Sequence, residues 1–313
     1  MFPKAQFAYD AATSISRGRR DRQEDAIAAD FMNGTGLGFA VLADGMGGHA
    51  AGDIASKIVV TEVFSELKFR AGEPELLEKH LKDALSAAAH AANDCVGHYA
   101  QQNAVTGGMG STLLAPVLFH DRLYWISVGD SPLYLFRDND LIRLNEEHSL
   151  ATRLDQMVTN GQMEQSEADN HPDRACLTSV LAGHDIAQMD CRAEPVNLRD
   201  GDIIIAASDG LLFLDDSEIA AVISAEQDRS SSEIGAALMQ NLEQLGDPEQ
   251  DNISFCVIKV ADLDKVNAAE AIAATAAPKP KATRPDKNTI TIVASASRTK
   301  GVTSYRISSG TTA

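Results

Sequence analysis

Apolar runs that end on a carboxylate constrain this chain more than any other feature of its sequence. Val41-Leu42-Ala43 leads into Asp44-Gly45, and the run from Ile203 to Ser208 leads into Asp209-Gly210. The aromatic-rich run from Leu123 to Gly129 leads into Asp130, and Asp251 opens Asp251-Asn252-Ile253 just ahead of the strand-like Ser254-Phe255-Cys256-Val257-Ile258. Aspartate is a poor strand residue. Four of them placed where strands end imply one rim of a sheet that carries a carboxylate cluster. Such a cluster repels itself unless hard cations neutralise it.

The rest of the chain supplies the frame for that rim. Residues 7–17, 37–43, 111–119, 122–128, 132–137, 202–207 and 252–260 read as strands, the middle ones separated by short polar turns such as His120-Asp121 and Asp138-Asn139-Asp140. This is a meander, so the sheet there is expected to be antiparallel. Asp53 to Phe69 reads as a helix with Ile54, Ile58, Val59, Val63 and Leu67 on one face, and a second helix is expected from Pro74 to Gln102. Two more are expected near 217–225 and 231–245. Helix pair, strands, helix pair and strand imply an α+β fold: a four-layer α-β-β-α sandwich of two mainly antiparallel sheets flanked by helix pairs. The stretch 146–185 is polar and irregular and reads as a functional or mobile flap.

A catalytic domain is expected over 1–261. Beyond it the composition shifts to Ala, Pro, Lys and Thr, and Pro278, Pro280 and Pro285 interrupt regular structure. Residues 262–313 hold eight Lys/Arg and four Asp/Glu and read as a linker with a flexible end, although Thr289-Ile290-Thr291-Ile292-Val293 alternates like a strand. The formal net charge of −18 argues against a nucleic-acid partner. Cys95, Cys176, Cys191 and Cys256 have no CxxC spacing, which argues against a structural zinc site or a disulfide framework. No run approaches the ~18 apolar residues of a membrane span. The start, Met1 to Gln6, lacks a basic region followed by an apolar stretch. A cytoplasmic monomer is the expectation.

The motifs occur in an order that resembles the metal-dependent Ser/Thr protein phosphatases of type 2C, bacterial form, over residues ~7–260. Gly18-Arg19-Arg20-Asp21-Arg22-Gln23-Glu24-Asp25 is similar to the family's G-x-R-x-x-x-E-D, and the run from Ala43 to Gly52 is similar to A-D-G-M-G-G-H-x-x-G. Gly110-Ser111-Thr112, Val128-Gly129-Asp130-Ser131, Gly201-Asp202 ahead of Ser208-Asp209-Gly210, and Asp251-Asn252-Ile253 follow in order. Each string is weak alone, but six in sequence form a specific pattern.

The resemblance implies phosphoserine/phosphothreonine hydrolysis by water activated at a binuclear Mn²⁺ or Mg²⁺ centre, without a phosphoenzyme. Phosphorylated proteins would be the substrates, with a Ser/Thr kinase as counterpart. It implies Asp44 bridging two ions, the Gly45 carbonyl completing one shell, Asp209 and Asp251 on one ion, and Glu24 with Asp25 serving the other. Asp130 with Asp209 would contribute to a third, weaker position. Arg20 matches the phosphate-binding arginine. The chemistry agrees independently: an all-oxygen donor set suits Mg²⁺ or Mn²⁺ rather than zinc, and a guanidinium fork suits two phosphate oxygens.

The histidines depart from the pattern. Where relatives have D-G-H, Met46 follows Asp44-Gly45, and His49 is the candidate proton donor to the leaving oxygen. His148 sits where the family often has D-H-S, here Glu147-His148-Ser149, and a structural or flap role is expected. His171-Pro172-Asp173-Arg174 resembles H-P-x-R, and Thr178 to Gly183 replaces T-R-A-L-G, with Ser179 at the arginine and Ala182 inserted. These changes suggest altered substrate contacts. Two rival readings stand: a catalytically weak phosphoprotein-binding module, which should have lost a metal carboxylate, and a phosphatase for small phosphate esters.

Overall fold

The computed structural model describes residues 7–31, 36–47, 51–103 and 108–265, and the backbone of 292–299 and 302–309. His49 lies outside the described residues. The chain divides into two units, Met1–Asn267 and Ala268–Ala313.

In the first unit, β1 (Phe7–Ser16), β2 (Asp25–Phe31) and β3 (Leu37–Met46) lead to α1 (Ala51–Arg70), α2 (Pro74–Lys79) and α3 (Leu81–Gln102). A meander follows: β4 (Gly110–Ser111), β5 (Leu113–Phe119), β6 (Arg122–Val128), β7 (Leu133–Arg137) and β8 (Asp140–Arg143). Then come α4 (Leu150–Thr159), α5 (Gln165–Asp169), β9 (Asp190–Cys191), β10 (Val196–Asn197) and β11 (Ile203–Ala207). A 3-10 turn over Asp209–Phe213, α6 (Asp216–Glu226), α7 (Ser231–Leu245) and β12 (Ile253–Asp262) complete it.

The strands form two antiparallel sheets, one in the order β1-β12-β11-β7-β8 and the other β10-β6-β5-β3-β2, with β4 beside β3 and β9 beside β6. Period-two alternation decides how they stack. Leu113, Ala115, Val117 and Phe119 of β5 face α1 and α3, while Leu114 and Leu118 face the other sheet. Ile203, Ile205 and Ala207 of β11 face α6 and α7, while Ile204 and Ala206 face inward. Three apolar layers result, two between a sheet and its helices and one between the sheets, which is the four-layer α-β-β-α sandwich. Both faces of the central strands are covered, so those strands read as continuous apolar runs. The helices stop and start where local chemistry says they should. Capping boxes open α6 (Asp215 with Glu218) and α7 (Ser230 with Glu233), and Gly246 at φ 62° ends α7.

Several expectations are corrected. The single helix over 74–102 breaks at His80, whose φ of −117° and ψ of 21° leave the helical region. The break lets Leu77 and Leu81 both enter the core under α1. β2 was hidden in the sequence because its inward residues are mostly alanines: Ala26 and Ala28 pack on one side, Ile27 and Phe31 on the other. The Asp138-Asn139 turn closes a β7–β8 hairpin, with both residues at positive φ (55° and 65°), as a two-residue hairpin requires. The 146–185 stretch is not irregular throughout, since it contains α4 and α5. The first unit runs past 261. The Asp262 amide donates to Asp200 Oδ1 at 2.8 Å and Lys265 pairs with Asp200, so the chain stays attached to the sheet edge through Lys265. In the second unit, expected to be a flexible tail, the described strands β13 (Ile292–Thr299) and β14 (Val302–Ser309) pair as an antiparallel hairpin. The alternation starting at Thr289 signalled β13 only in part. β14 was missed although Val302, Thr303, Tyr305 and Ile307 are good strand formers.

Candidate active site

The site lies where β3, β6 and β11 end, where β2 begins, and where the loops before β2 and β12 meet. Asp25 opens β2 directly opposite Asp44 of β3 in the sheet register. β3 does not stop at Asp44-Gly45 but continues to Met46, and Gly45 pairs with Ser111 of β4. The Asp44 backbone is fixed on both sides. Its N–H donates to Thr112 Oγ1 at 2.9 Å, and its carbonyl accepts from the Thr112 amide at 2.8 Å and from Ser111 Oγ at 2.9 Å. Gly45 is needed for space: a Cβ there would lie 2.0 Å from the Gly52 carbonyl oxygen and 2.7 Å from that of Glu24. The N-terminus of α1 and the Glu24 strand entry can therefore close on the Asp-Gly pair.

The loop before β2 is held by Asn252. Its Oδ1 accepts from the Glu24 amide at 2.7 Å, and its Nδ2 donates to the Arg17 and Arg22 carbonyls at 2.9 and 2.8 Å. Gly18, at φ 58°, packs so closely that a Cβ would sit 2.0 Å from the Asp251 carbonyl. That contact brings Arg20 to Asp251, and Arg20 Nη2 donates to Asp251 Oδ2 at 2.6 Å. The arginine side chain remains 56% exposed. Below it, Ser208 Oγ donates to Asp25 Oδ2 at 2.8 Å and accepts from the Ser254 amide at 3.0 Å.

The electrostatics give the cluster its character. Burial first, and then Asp25, Asp209, Asp130 and Asp251, push the Asp44 carboxyl well above the usual carboxylate range. Asp25, only 3% exposed, is raised to about 6, chiefly by burial and against the Ser208 hydrogen bond. Asp209 is raised to about 6 by burial, then by Asp251 and Asp25, and Asp130 to about 6 by burial and then Asp209. Burial and Asp251 also raise Glu24.

The residues fit a divalent-metal centre on two observations. Asp25 Oδ1 and Asp209 Oδ1 are buried oxygens with no hydrogen-bond partner, which is costly unless something else satisfies them. Every donor is an oxygen, the set hard cations prefer. As the side chains stand, no three His, Cys, Asp or Glu among the described residues converge in a coordinating arrangement.

The structure thus brings Arg20, Glu24, Asp25, Asp44, Gly45, Asp130, Asp209 and Asp251 to one end of the sandwich. His148 is buried, at 2% exposure, with Nδ1 accepting from the Gly129 amide at 3.1 Å, so it is not placed as a proton donor to a substrate. His171 is on the exposed flap, its Nδ1 accepting from the Asp173 amide at 3.2 Å. Arg174 is taken up by Asp155 at 2.9 and 3.0 Å. Ser179, at the position of the absent arginine, is buried and donates to the Gln188 carbonyl at 2.6 Å. Sequence reasoning assigned no role to Ser208, Asn252, Thr112 or Arg143. The first three stand inside the quoted strings, and small polar residues next to apolar runs were the available signal.

Comparison with known proteins agrees with this geometry. The protein phosphatase 2C family model matches residues 16–251. The serine/threonine protein phosphatase PstP of Mycobacterium tuberculosis is 31% identical over 245 residues, which cover 78% of this chain and 43% of that protein, so the chain spans less than half the length of this relative. The serine/threonine phosphatase stp of Listeria welshimeri is 28% identical over 78% of this chain and 92% of its own length. The crystal structure of the catalytic domain of a PstP in complex with two manganese ions superposes with a TM-score of 0.63 at 27% identity, covering 82% of this chain and all of that one. Motif order, four-layer fold, carboxylate cluster and a family match over most of its length lead to one conclusion: this chain belongs to the protein phosphatase 2C family.

Proposed function

We propose that this chain is a metal-dependent protein phosphatase that hydrolyses phosphoserine and phosphothreonine esters in proteins by direct attack of water. The observation that carries the reading is Asp44, a half-buried carboxyl raised by four neighbouring carboxyls, beside two orphaned carboxylate oxygens and an exposed arginine.

Asp44, Asp25, Asp209, Asp251 and Glu24 would hold two Mn²⁺ or Mg²⁺ ions, with the Gly45 carbonyl, and Asp130 with Asp209 would serve a third. When bound, such ions supply Lewis acidity at an oxygen nucleophile and at the phosphoryl group. The chain's own residues do the rest. Ser111, Thr112, Ser208 and Asn252 fix the carboxylates from behind. Their engagement also speaks for water as the nucleophile. The Ser111 and Ser208 hydroxyls are buried and donate to Asp44 O and Asp25 Oδ2, and Thr112 Oγ1, also buried, accepts from the Asp44 amide. Arg20 has accessible donors beyond its bond to Asp251 and binds two phosphoryl oxygens, orienting the ester so that the serine or threonine oxygen leaves opposite the attacking water. His49 is the candidate to protonate that oxygen. The PstP and stp names support protein substrates, and a Ser/Thr kinase would be the functional counterpart of a chain we take to act as a monomer in the cytoplasm. No described helix is long and apolar enough to cross a membrane.

Phosphate release from a phosphothreonine peptide in Mn²⁺, with a chelator as control, tests the reading. Release that is metal-dependent and faster than from a small phosphomonoester is expected. Tight peptide binding without release would instead mark a recognition module, and a preference for the small ester would mark a metabolite phosphatase.

A further inference from the structure

We infer that His148 is a positioning residue that couples the seating of the 146–185 flap to the orientation of Asp130, by clamping the backbone N–H and C=O of Gly129 as one unit between them. The inference rests on the proposed metal role of Asp130. Gly129 turns the chain from β6 into Asp130 at φ 107°, with Thr112 so close that a Cβ would lie 2.7 Å from its Cγ2. His148 holds this unit at two points: its backbone N–H donates to the Gly129 carbonyl at 2.9 Å, and its Nδ1 accepts from the Gly129 N–H at 3.1 Å. The ring must therefore carry its proton on Nε2 and be neutral, and burial favours that form by holding its pKa below the ordinary value.

His148 and its chain neighbours also root the flap. The His148 carbonyl accepts from the Thr178 amide at 2.9 Å, and the Leu150 amide donates to the Cys176 carbonyl at 2.8 Å, tying the start of the flap to its return strand. Ser149 caps α4 and also donates to Glu147 Oε1 at 2.5 Å. Glu147 Oε2 accepts from Arg143 Nη1 at 2.6 Å, and Arg143 Nη2 donates to the Asp130 carbonyl at 2.6 Å. Asp130 is thus gripped on its carbonyl through Arg143 and on the preceding peptide through His148. Both grips lead to the residues that launch α4. A flap that shifts its root must release Gly129, and with it the backbone that aims the Asp130 carboxyl.

Two substitutions separate the Nδ1 acceptor from the bulk of the ring. In His148→Asn, Oδ1 stands near the position of Nδ1 and can accept the Gly129 N–H, whereas in His148→Leu nothing can. Full-length proteins would be compared by calorimetric titration with Mn²⁺ alone and by hydrogen exchange of the Gly129 and Thr178 amides. For His148→Leu the weakest Mn²⁺ step should lose about 10- to 100-fold in affinity, and both amides should exchange about 5- to 10-fold faster. His148→Asn should stay within about threefold of wild type on both readouts. Wild-type Mn²⁺ binding and exchange in His148→Leu would overturn the inference. So would His148→Asn behaving as a loss of function, because the ring's packing would then be what matters; this arm decides the question even if the Leu variant does not fold. Neither readout uses a substrate. If wild type released no phosphate yet the two variants split as stated, the activity assignment would fail and the coupling would stand.

Discussion

Replacing Asp209 by Asn should stabilise the metal-free protein while removing its response to metal. The structure sets the size of the effect. Asp209 is half-buried, and desolvation, then Asp251 and Asp25, raise its carboxyl from 3.8 to about 6. That difference corresponds to about 3 kcal/mol between folded and unfolded chains at neutral pH. The sign follows from linkage: a raised folded-state value means stability that is complete below pH 3.8 and is lost as pH rises through about 6. Above pH 6 the wild-type chain carries this charge at a cost that the neutral amide of the variant avoids. The isosteric amide also relieves Asp44, which counts Asp209 among the groups raising it. A domain of this size gains about 2–4 °C per kcal/mol, so melting of metal-free Asp209→Asn at pH 7.5 should rise by about 6–12 °C. At pH 4 the difference should vanish. With Mn²⁺ at about a thousand times its dissociation constant, the wild type should gain about 4.1 kcal/mol and overtake the variant, whose gain should be much smaller. Scanning calorimetry across pH, with chelator or Mn²⁺, measures all three quantities. A metal-free variant that melts below wild type at pH 7.5, or an equal Mn²⁺ shift in both proteins, would refute the electrostatic account of the cluster.

Arg20→Ala should raise KM for a phosphopeptide more than it lowers kcat, with Lys restoring only part of the loss because a point charge cannot grip two oxygens; steady-state kinetics will show an unchanged KM if a neighbouring arginine binds phosphate instead. Gly18→Ala should cost at least about 2 kcal/mol in urea unfolding, since the new Cβ would meet the Asp251 carbonyl at 2.0 Å, and should reduce phosphate release by moving both Arg20 and Asp251. Replacing 150–170 with a short linker should change the ranking of phosphopeptides while hydrolysis of a small phosphomonoester persists; a parallel loss of both would make the flap part of the catalytic apparatus. A chain ending at Asn267 should keep its melting temperature and peptide activity, because the ion pair of Lys265 with Asp200 is retained; a clearly lower melting temperature would show that the second unit supports the first.

The strands themselves could be anticipated wherever apolar runs were long enough, but their order in the sheets could not. The β5, β6, β11 and β12 segments alternate between two apolar layers, so both of their faces are covered. β2 and the break at His80 were not legible. An alanine-rich strand carries little periodic signal, and the helix breaks to admit Leu77 and Leu81 to a core that exists only once α1 is in place. The site divides the same way. Asp44, Asp130, Asp209 and Asp251 were visible because a carboxylate at the end of an apolar run is locally unfavourable and needs a reason. Arg20 was visible only through the order of motifs, with Arg17, Arg19 and Arg22 beside it.

The sequence by itself determined which residues could chelate, because donor type is a property of the side chain, and which segments could be strands, because alternation is a property of the chain. Only the tertiary structure decided that four other carboxyls act on Asp44, that Ser208 and Asn252 hold the cluster from behind, and that His148 at the flap's root is bonded to Gly129, the residue before Asp130. Those partners lie up to 228 residues apart. No local pattern encodes such contacts; they arise because two sheets packed face to face bring distant strand ends to one rim, where buried polar atoms must find partners or pay the full cost of desolvation.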